Sequence, residues 1–316
     1  MKECFKEYNF QHKSLITIAK VNAIVKKYQS FGLKLTLRQI YYQFIANDLF
    51  PDERTWSLTA NRKWKRDPNG TKNADPNYDY LGDLVNKARL AGYIDWDAIE
   101  DRTRFLRGRT NWASPLSMIR TMTKRYTINM WANQDYRIEV WIEKDALIGV
   151  IENVCYQNDI DYFACRGYAS QSELYKAGQR MEQFYNNGKQ CVVIHLGDHD
   201  PSGIDMTRDN EDTLYMFSGA CTEVVRIALN YDQVLQYKPP PNPAKLSDSR
   251  AKEYIALHGK SSWELDALEP RVLQNLVQDT INMYKDPQKW KESKDKHTAH
   301  KQQLKKVISD LETSTD

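Results

Sequence analysis

The sequence predicts a mixed α/β chain, a helical N-terminal unit leading into a mainly parallel, Rossmann-like sheet. Three observations carry this. Apolar residues recur at helical spacing in the first fifty positions, two apolar runs near the middle stop abruptly at carboxylates, and helices and strands alternate between those runs.

From Ser14 to Tyr28 the residues Leu15, Ile16, Ile18, Ala19, Val21, Ile24 and Val25 mark one helix face. Gly32 breaks the pattern, and Thr36 is placed to cap a second helix through Leu37-Arg38-Gln39-Ile40-Tyr41-Tyr42-Gln43-Phe44-Ile45. A third helix is expected from Tyr78 to Leu90, closed by Ala91-Gly92. Pro51 to Pro76, rich in Asp, Asn, Gly and Lys, reads as a long surface loop for DNA to order. Three helices, then Tyr93-Ile94-Asp95-Trp96 and an arginine-rich turn, fit a winged-helix domain. That turn carries Arg102, Arg104, Arg107 and Arg109 around Gly108. Guanidinium forks match phosphate oxygens, so these four are candidate DNA-backbone contacts, and Gly108 permits a hairpin wing. The competing reading is a salt-bridge hub with Asp97, Glu100 and Asp101. A helix from Ser114 to Tyr126 then joins this unit to the sheet as a hinge.

The first sheet strand is Ile138-Glu139-Val140-Trp141-Ile142, ending at Glu143. A helix (Ile148 to Asn158), a strand (Asp161 to Cys165), a helix (Ser172 to Tyr185) and a buried strand (Cys191 to Leu196) follow. Arg166-Gly167-Tyr168-Ala169-Ser170 falls at a strand end, where Arg166 and Ser170 either touch phosphate or form a simple turn. After Leu196 come Gly197, Asp198, His199 and Asp200, and Pro201-Ser202-Gly203 supplies the break before another helix. Residues two apart at a strand end project together, which sets Asp198 beside Asp200. Two carboxylates a few ångströms apart repel by roughly 4 kcal/mol at an effective dielectric near 20, so a hard divalent cation is the natural counter-charge. Magnesium is the default, with manganese the alternative. The plain alternative is a surface turn with a helix cap, since Asp, Pro, Ser and Gly are also turn residues. Ligands of open parallel sheets bind where strands deliver their carboxyl ends, so Glu143 and the aspartate pair are expected to converge on one site.

Length and composition allow this. The 316 residues suffice for two or three domains with real cores. Five scattered cysteines without Cys-x-x-Cys pairs read as reduced, which argues for a cytoplasmic protein without structural zinc. The absence of a long apolar stretch and of a secretory apolar region predicts a soluble intracellular chain with no membrane partner. A net charge of +3 does not announce a nucleic-acid binder. From Lys285 to Lys306, however, eight lysines stand against three acids, a basic tail that is either a solvated helix or a phosphate-tracking arm. Tyr237 to Pro243 is proline-rich and extended. Neither common nucleotide-binding glycine loop occurs.

Glu143 after an apolar strand, with Asp198-x-Asp200 further on, resembles the Toprim domain of topoisomerases, primases and several nucleases. Together, Glu143-Lys144-Asp145-Ala146, Gly197-Asp198-His199-Asp200-Pro201-Ser202-Gly203 and Trp263-Glu264-Leu265-Asp266-Ala267-Leu268 resemble the A subunit of topoisomerase VI and its short stand-alone relatives in mobile elements. The resemblance implies an N-terminal winged-helix domain over 1–126, a Toprim metal-binding core over 127–235, and a C-terminal extension with the basic tail over 236–316. It implies that Glu143 is a general acid/base and metal ligand and that Asp198 and Asp200 hold magnesium. Glu264 and Asp266 become second-rank ligand candidates, against caps for a helix starting near Glu269. Arg38-Gln39-Ile40-Tyr41-Tyr42 resembles the motif whose second tyrosine attacks a DNA phosphate, which assigns the nucleophile to Tyr42. A phenol ionises near pH 10, so attack at neutral pH needs a base, a cation or metal-assisted charge stabilisation. Arg38, one turn earlier on the same face, is the candidate stabiliser. Tyr41, Tyr42, Phe44 and Ile45 equally make an ordinary apolar face.

The implied function is magnesium-dependent cleavage of double-stranded DNA by tyrosine transesterification. Its partners would be a second copy of the chain, because in the family the tyrosine of one subunit works with the metal site of the other, and a separate ATPase subunit. Two alternatives stand beside it: a Toprim nuclease that uses water in place of the tyrosine, and a non-catalytic DNA-binding protein.

Overall fold

A computed structural model describes residues 2–61, 63–99, 111–219 and 222–313. The chain opens with α1 (His12–Gln29) and α2 (Leu37–Ala46). Thr36 caps α2 as expected, in a reciprocal box with Gln39 that satisfies two amides at the helix start. The stretch read as a long loop instead contains an antiparallel hairpin, β1 (Trp56–Leu58) and β2 (Trp64–Arg66), with Leu58 directly across from Trp64. Polar neighbours hid it, because two three-residue strands give too short an alternation to stand out. The third helix, α3 (Asp75–Leu90), starts earlier than expected, with Pro76 in its first turn, where the missing amide costs nothing. Ile18, Val21, Val25, Ile40, Phe44, Leu81 and Val85 of these helices close an N-terminal core. The arginine-rich segment, with Arg102, Arg104, Arg107 and Arg109 and the wing placed there, lies outside the described residues.

Next, α4 (Pro115–Arg125) buries none of its residues, and its Arg120 pairs with Glu312 of the C-terminal helix. Four parallel strands follow: β3 (Tyr136–Ile142), β4 (Asp161–Ala164), β5 (Gln190–Leu196) and β6 (Thr222–Ala228), in the order β4-β3-β5-β6. Connecting them are α5 (Ile148–Gln157), α6 (Gln171–Asn186) and α7 (Pro201–Ser218). Alternation divides the side chains between two cores. Ile138, Val140, Ile142, Val192, Ile194 and Leu196 face α5 and α10 (Pro270–Tyr284). Trp141, Cys191 and Val193 face Leu174, Met181 and Leu214 of α6 and α7. Glu139, buried on that second face, receives two bonds from the Arg180 guanidinium and one from the Trp141 indole.

Beyond the sheet, α8 (Tyr231–Tyr237) leads through the prolines into β7 (Asn242–Pro243), which pairs with β8 (Ser261–Ser262) after α9 (Ala251–His258). The basic tail forms a 27-residue helix, α11 (Pro287–Thr313). Cys155, Cys165 and Cys191 are free and buried, and Cys4 is free and exposed. Among the described residues no helix is long and apolar enough to cross a membrane.

Candidate active site

The strand order decides where side chains can converge. From β3 the chain crosses to β4 on one side and then to β5 on the other, so the crevice of an open parallel sheet opens between β3 and β5. Ile142 pairs with Leu196 at the carboxyl end of that junction, and the Glu143 amide donates to the Leu196 carbonyl at 2.8 Å. Glu143 and the Gly197–Asp200 stretch therefore leave the sheet side by side. Gly197 is closely packed here: a Cβ would lie 3.1 Å from both Glu143 Oε2 and an Arg226 nitrogen, side-chain ends that would have to give way.

Each carboxylate is held by specific donors. The Asp198 amide donates to Glu143 Oε2 at 2.8 Å. Asp198 Oδ1 accepts from the Leu265 amide at 2.8 Å, and its Oδ2 lies 3.1 Å from Lys144 Nζ. Asp200 caps α7, accepting from the Gly203 amide at 2.6 Å and the Ser202 hydroxyl at 3.0 Å. The helix-cap reading of Asp200 is thus realised, while Asp198 turns inward to different partners.

Glu264 and Asp266 cap nothing in α10, whose N-terminal boundary is Glu269. A two-way backbone bridge between His199 and Trp263 brings their segment to the strand ends. There the Lys144 ammonium lies 2.9 Å from Glu264 Oε2 and 2.9 Å from Asp266 Oδ1, besides its contact to Asp198. One half-buried cation thus neutralises part of a cluster of acids. Lys144 was not foreseen as a site residue; the available signal was a lysine embedded among acids at a strand end.

Arg226 was also missed, though an arginine set between the apolar Val224-Val225 and Ile227-Ala228 of a strand must have a partner. From β6 it donates to the carbonyls of Gly197, Asp198, Gly203 and Leu229 and to the Thr207 hydroxyl, bracing both the acidic turn and the start of α7. Burial lowers its pKa to about 10.

Burial dominates the electrostatics. It pushes Asp198 up to about 8, with Lys144 acting in the opposite direction, and it raises Glu143 as well. Burial also acts to raise Glu264, but Lys144, Tyr42 and Arg38 together hold it down to about 2. Tyr42 is 4% exposed, and its hydroxyl faces Glu264 within hydrogen-bonding reach. Burial, reinforced by Asp266 and Glu264, raises the phenol well above its ordinary value. Arg38 donates to Glu264 Oε2 at 3.3 Å and lies over the Tyr78 ring.

Arg38, Tyr42, Asp198, Asp200 and Glu264 line one cleft of about 720 Å³, with Glu143 bound directly behind it. Arg166 is not part of this cleft. It pairs with Asp145 at the rim of β4, and Ser170 caps α6; both line a separate pocket beside β4.

The donor chemistry of Glu143, Asp198 and Asp200 suits a hard cation, being all carboxylate oxygen. Glu143 Oε1 and Asp200 Oδ2 have no hydrogen-bond partner among the described residues. Asp198 Oδ2, by contrast, is engaged by Lys144. As they stand, no three His, Cys, Asp or Glu side chains among the described residues are arranged to hold a metal ion. No family model, curated protein or solved structure matches the chain.

Proposed function

We propose that the chain cleaves DNA strands in a magnesium-dependent reaction of the topoisomerase VI A type, with Tyr42 as nucleophile. The observation that carries this is the convergence of Glu143, Asp198 and Asp200 at the β3–β5 crevice, where the two aspartates share one cleft with Tyr42 and Arg38 and Glu143 lies behind it. Magnesium or manganese held by Glu143, Asp198 and Asp200 would offset the charge on the phosphate's non-bridging oxygens. Tyr42 Oη forms the bond to phosphorus as the bond from phosphorus to one sugar oxygen breaks. The phenolic proton leaves to solvent, since Glu264, held down to about 2, is too weak a base to take it, and Lys144 and Arg38 favour the developing phenolate. Glu143, whose pKa is raised by burial, carries a proton to the departing sugar oxygen. The homodimer and the separate ATPase partner implied by the resemblance belong to this proposal.

A second reading, hydrolysis by water at the same carboxylates, is favoured by one observation: Tyr42 is buried and its pKa is raised, which disfavours the phenolate. The deciding experiment incubates wild type, Tyr42→Phe and the double variant Asp198→Ala/Asp200→Ala with supercoiled DNA and magnesium or manganese. Products are resolved under denaturing conditions with and without protease. We expect protein-linked ends in the wild type and none in either variant. Cleavage that survives Tyr42→Phe but not the double variant establishes the hydrolytic reading, and no cleavage by any form overturns both in favour of a DNA-binding role.

A further inference from the structure

The cleft in front of the carboxylates has walls that the chemistry above does not use. β1 and β2 present Leu58 and Trp64 as direct cross-strand partners, α3 presents Tyr78, and the segments flanking β8 and following β7 present Trp263 and Leu246. Leu58 is 47% exposed and Leu246 is 76% exposed, so apolar side chains stand in solvent where the cleft meets it. The Trp64 indole is anchored, donating to Asp75 Oδ2 at 3.0 Å. Aromatic faces and bare aliphatic side chains beside a carboxylate floor suit a ligand with flat apolar faces on a charged backbone. A nucleic-acid strand has that chemistry only when its bases are unstacked, because in an intact duplex each base face is covered by its neighbours. The size agrees. About 720 Å³ is the range of pockets that enclose small-molecule-sized groups, enough for one or two nucleotides and not for a double helix.

We propose that this cleft receives a DNA strand with unstacked bases, so that the preferred substrate is single-stranded or locally melted DNA. The proposal rests on the phosphodiester-cleavage reading and refines its substrate class. Stacking on Trp64 would seat a base beside the Tyr78 ring, which Arg38 covers, and the adjoining phosphate would reach the floor formed by Asp198 and Asp200. That floor is acidic, so a strand enters together with a divalent cation.

The test measures fluorescence anisotropy of a labelled twelve-residue oligothymidylate and of a labelled twelve-base-pair duplex with the full chain in calcium. The expected result is at least about tenfold tighter binding of the single strand. Trp64→Ala should cost about tenfold on the single strand and little on the duplex. Trp64→Phe should keep most of the affinity, since it retains a ring and loses only the bond to Asp75. Leu246→Ala, a change on an exposed side chain, probes the cleft mouth without touching the hairpin and should also weaken the single strand selectively. Equal or tighter duplex binding overturns the proposal, as does a single-strand preference unchanged in both alanine variants. Magnesium-dependent nicking of supercoiled DNA is run in parallel. Nicking without single-strand preference removes the cleft assignment and leaves cleavage standing, whereas single-strand preference without nicking removes cleavage and leaves the cleft assignment.

Discussion

Asp198 combines deep burial with acidic neighbours, and its protonation should be visible in the stability of the whole chain. Burial pushes its pKa to about 8, Glu143 and Asp266 add to the effect, and Lys144 opposes it. A carboxyl with a folded pKa above its unfolded value of about 3.9 is held protonated by folding, so its contribution declines as pH rises toward 8. Below pH 6.5 this slope is masked, because His195 and His199 are lowered by burial to about 3 and 4 and their contribution grows with pH over that range. The window from pH 7 to 8 lies above the histidine range and leaves the raised carboxyls of this cluster, Asp198 with Glu143 and Asp266, to set the slope. Urea unfolding in a chelator should show a loss of about 1 kcal/mol between those two pH values, and Asp198→Asn should reduce the slope. An unchanged slope in that variant would assign it to another group. At this scale the acids were legible because a strand end fixes where its last residues emerge. Lys144 was not: once the chain leaves the sheet, alternation no longer says which way a side chain turns. Glu264 and Asp266 were found as acids near the site, but their partner was invisible, since only the fold brings the Trp263 segment against β3.

At the scale of elements, the start of α7 organises the site. Asp200 caps it, Arg226 grips the Gly203 carbonyl at 2.8 Å, and the Gly203 amide returns a bond to Asp200. A Cβ on Gly203 would stand 2.3 Å from the Asp198 carbonyl oxygen, a backbone atom with no rotamer to give way. Helix propensity alone favours Gly203→Ala by up to about 1 kcal/mol. The clash should outweigh that gain, so a net destabilisation of about 1–3 kcal/mol is expected in urea unfolding, together with loss of DNA cleavage. A stabilised variant would mean that the turn can shift without cost. The Pro-Ser-Gly sequence announced the helix start here, just as Thr36 announced α2, because caps and breakers act over a few residues. The β1–β2 hairpin went unseen for the complementary reason. Its strands are held by Trp56 and Trp64 reaching Asn77 and Asp75 at the start of α3, contacts that period-two patterning cannot register.

At the scale of the whole molecule, α2 packs against the Leu265–Ala267 turn, so Tyr42 and Arg38 meet Glu264 of their own chain. The resemblance to topoisomerase VI A subunits implies the opposite arrangement, a tyrosine from one subunit acting at the carboxylates of its partner. The two arrangements make different demands on a mixture of inactive variants. If tyrosine and carboxylates act across subunits, mixing Tyr42→Phe with Asp198→Ala/Asp200→Ala reconstitutes one intact site in each heterodimer, and cleavage returns to a sizeable fraction of wild type. If they act within one chain, every molecule in the mixture lacks one half of the chemistry. The contacts to Glu264 lead us to expect the second result: the mixture stays as inactive as its components, read as protein-linked DNA ends after co-refolding the two variants to allow exchange. Recovered cleavage would show that Tyr42 leaves Glu264 to reach a partner, and the Arg38 and Tyr42 contacts to Glu264 would then describe a resting arrangement that dimerisation on DNA must break.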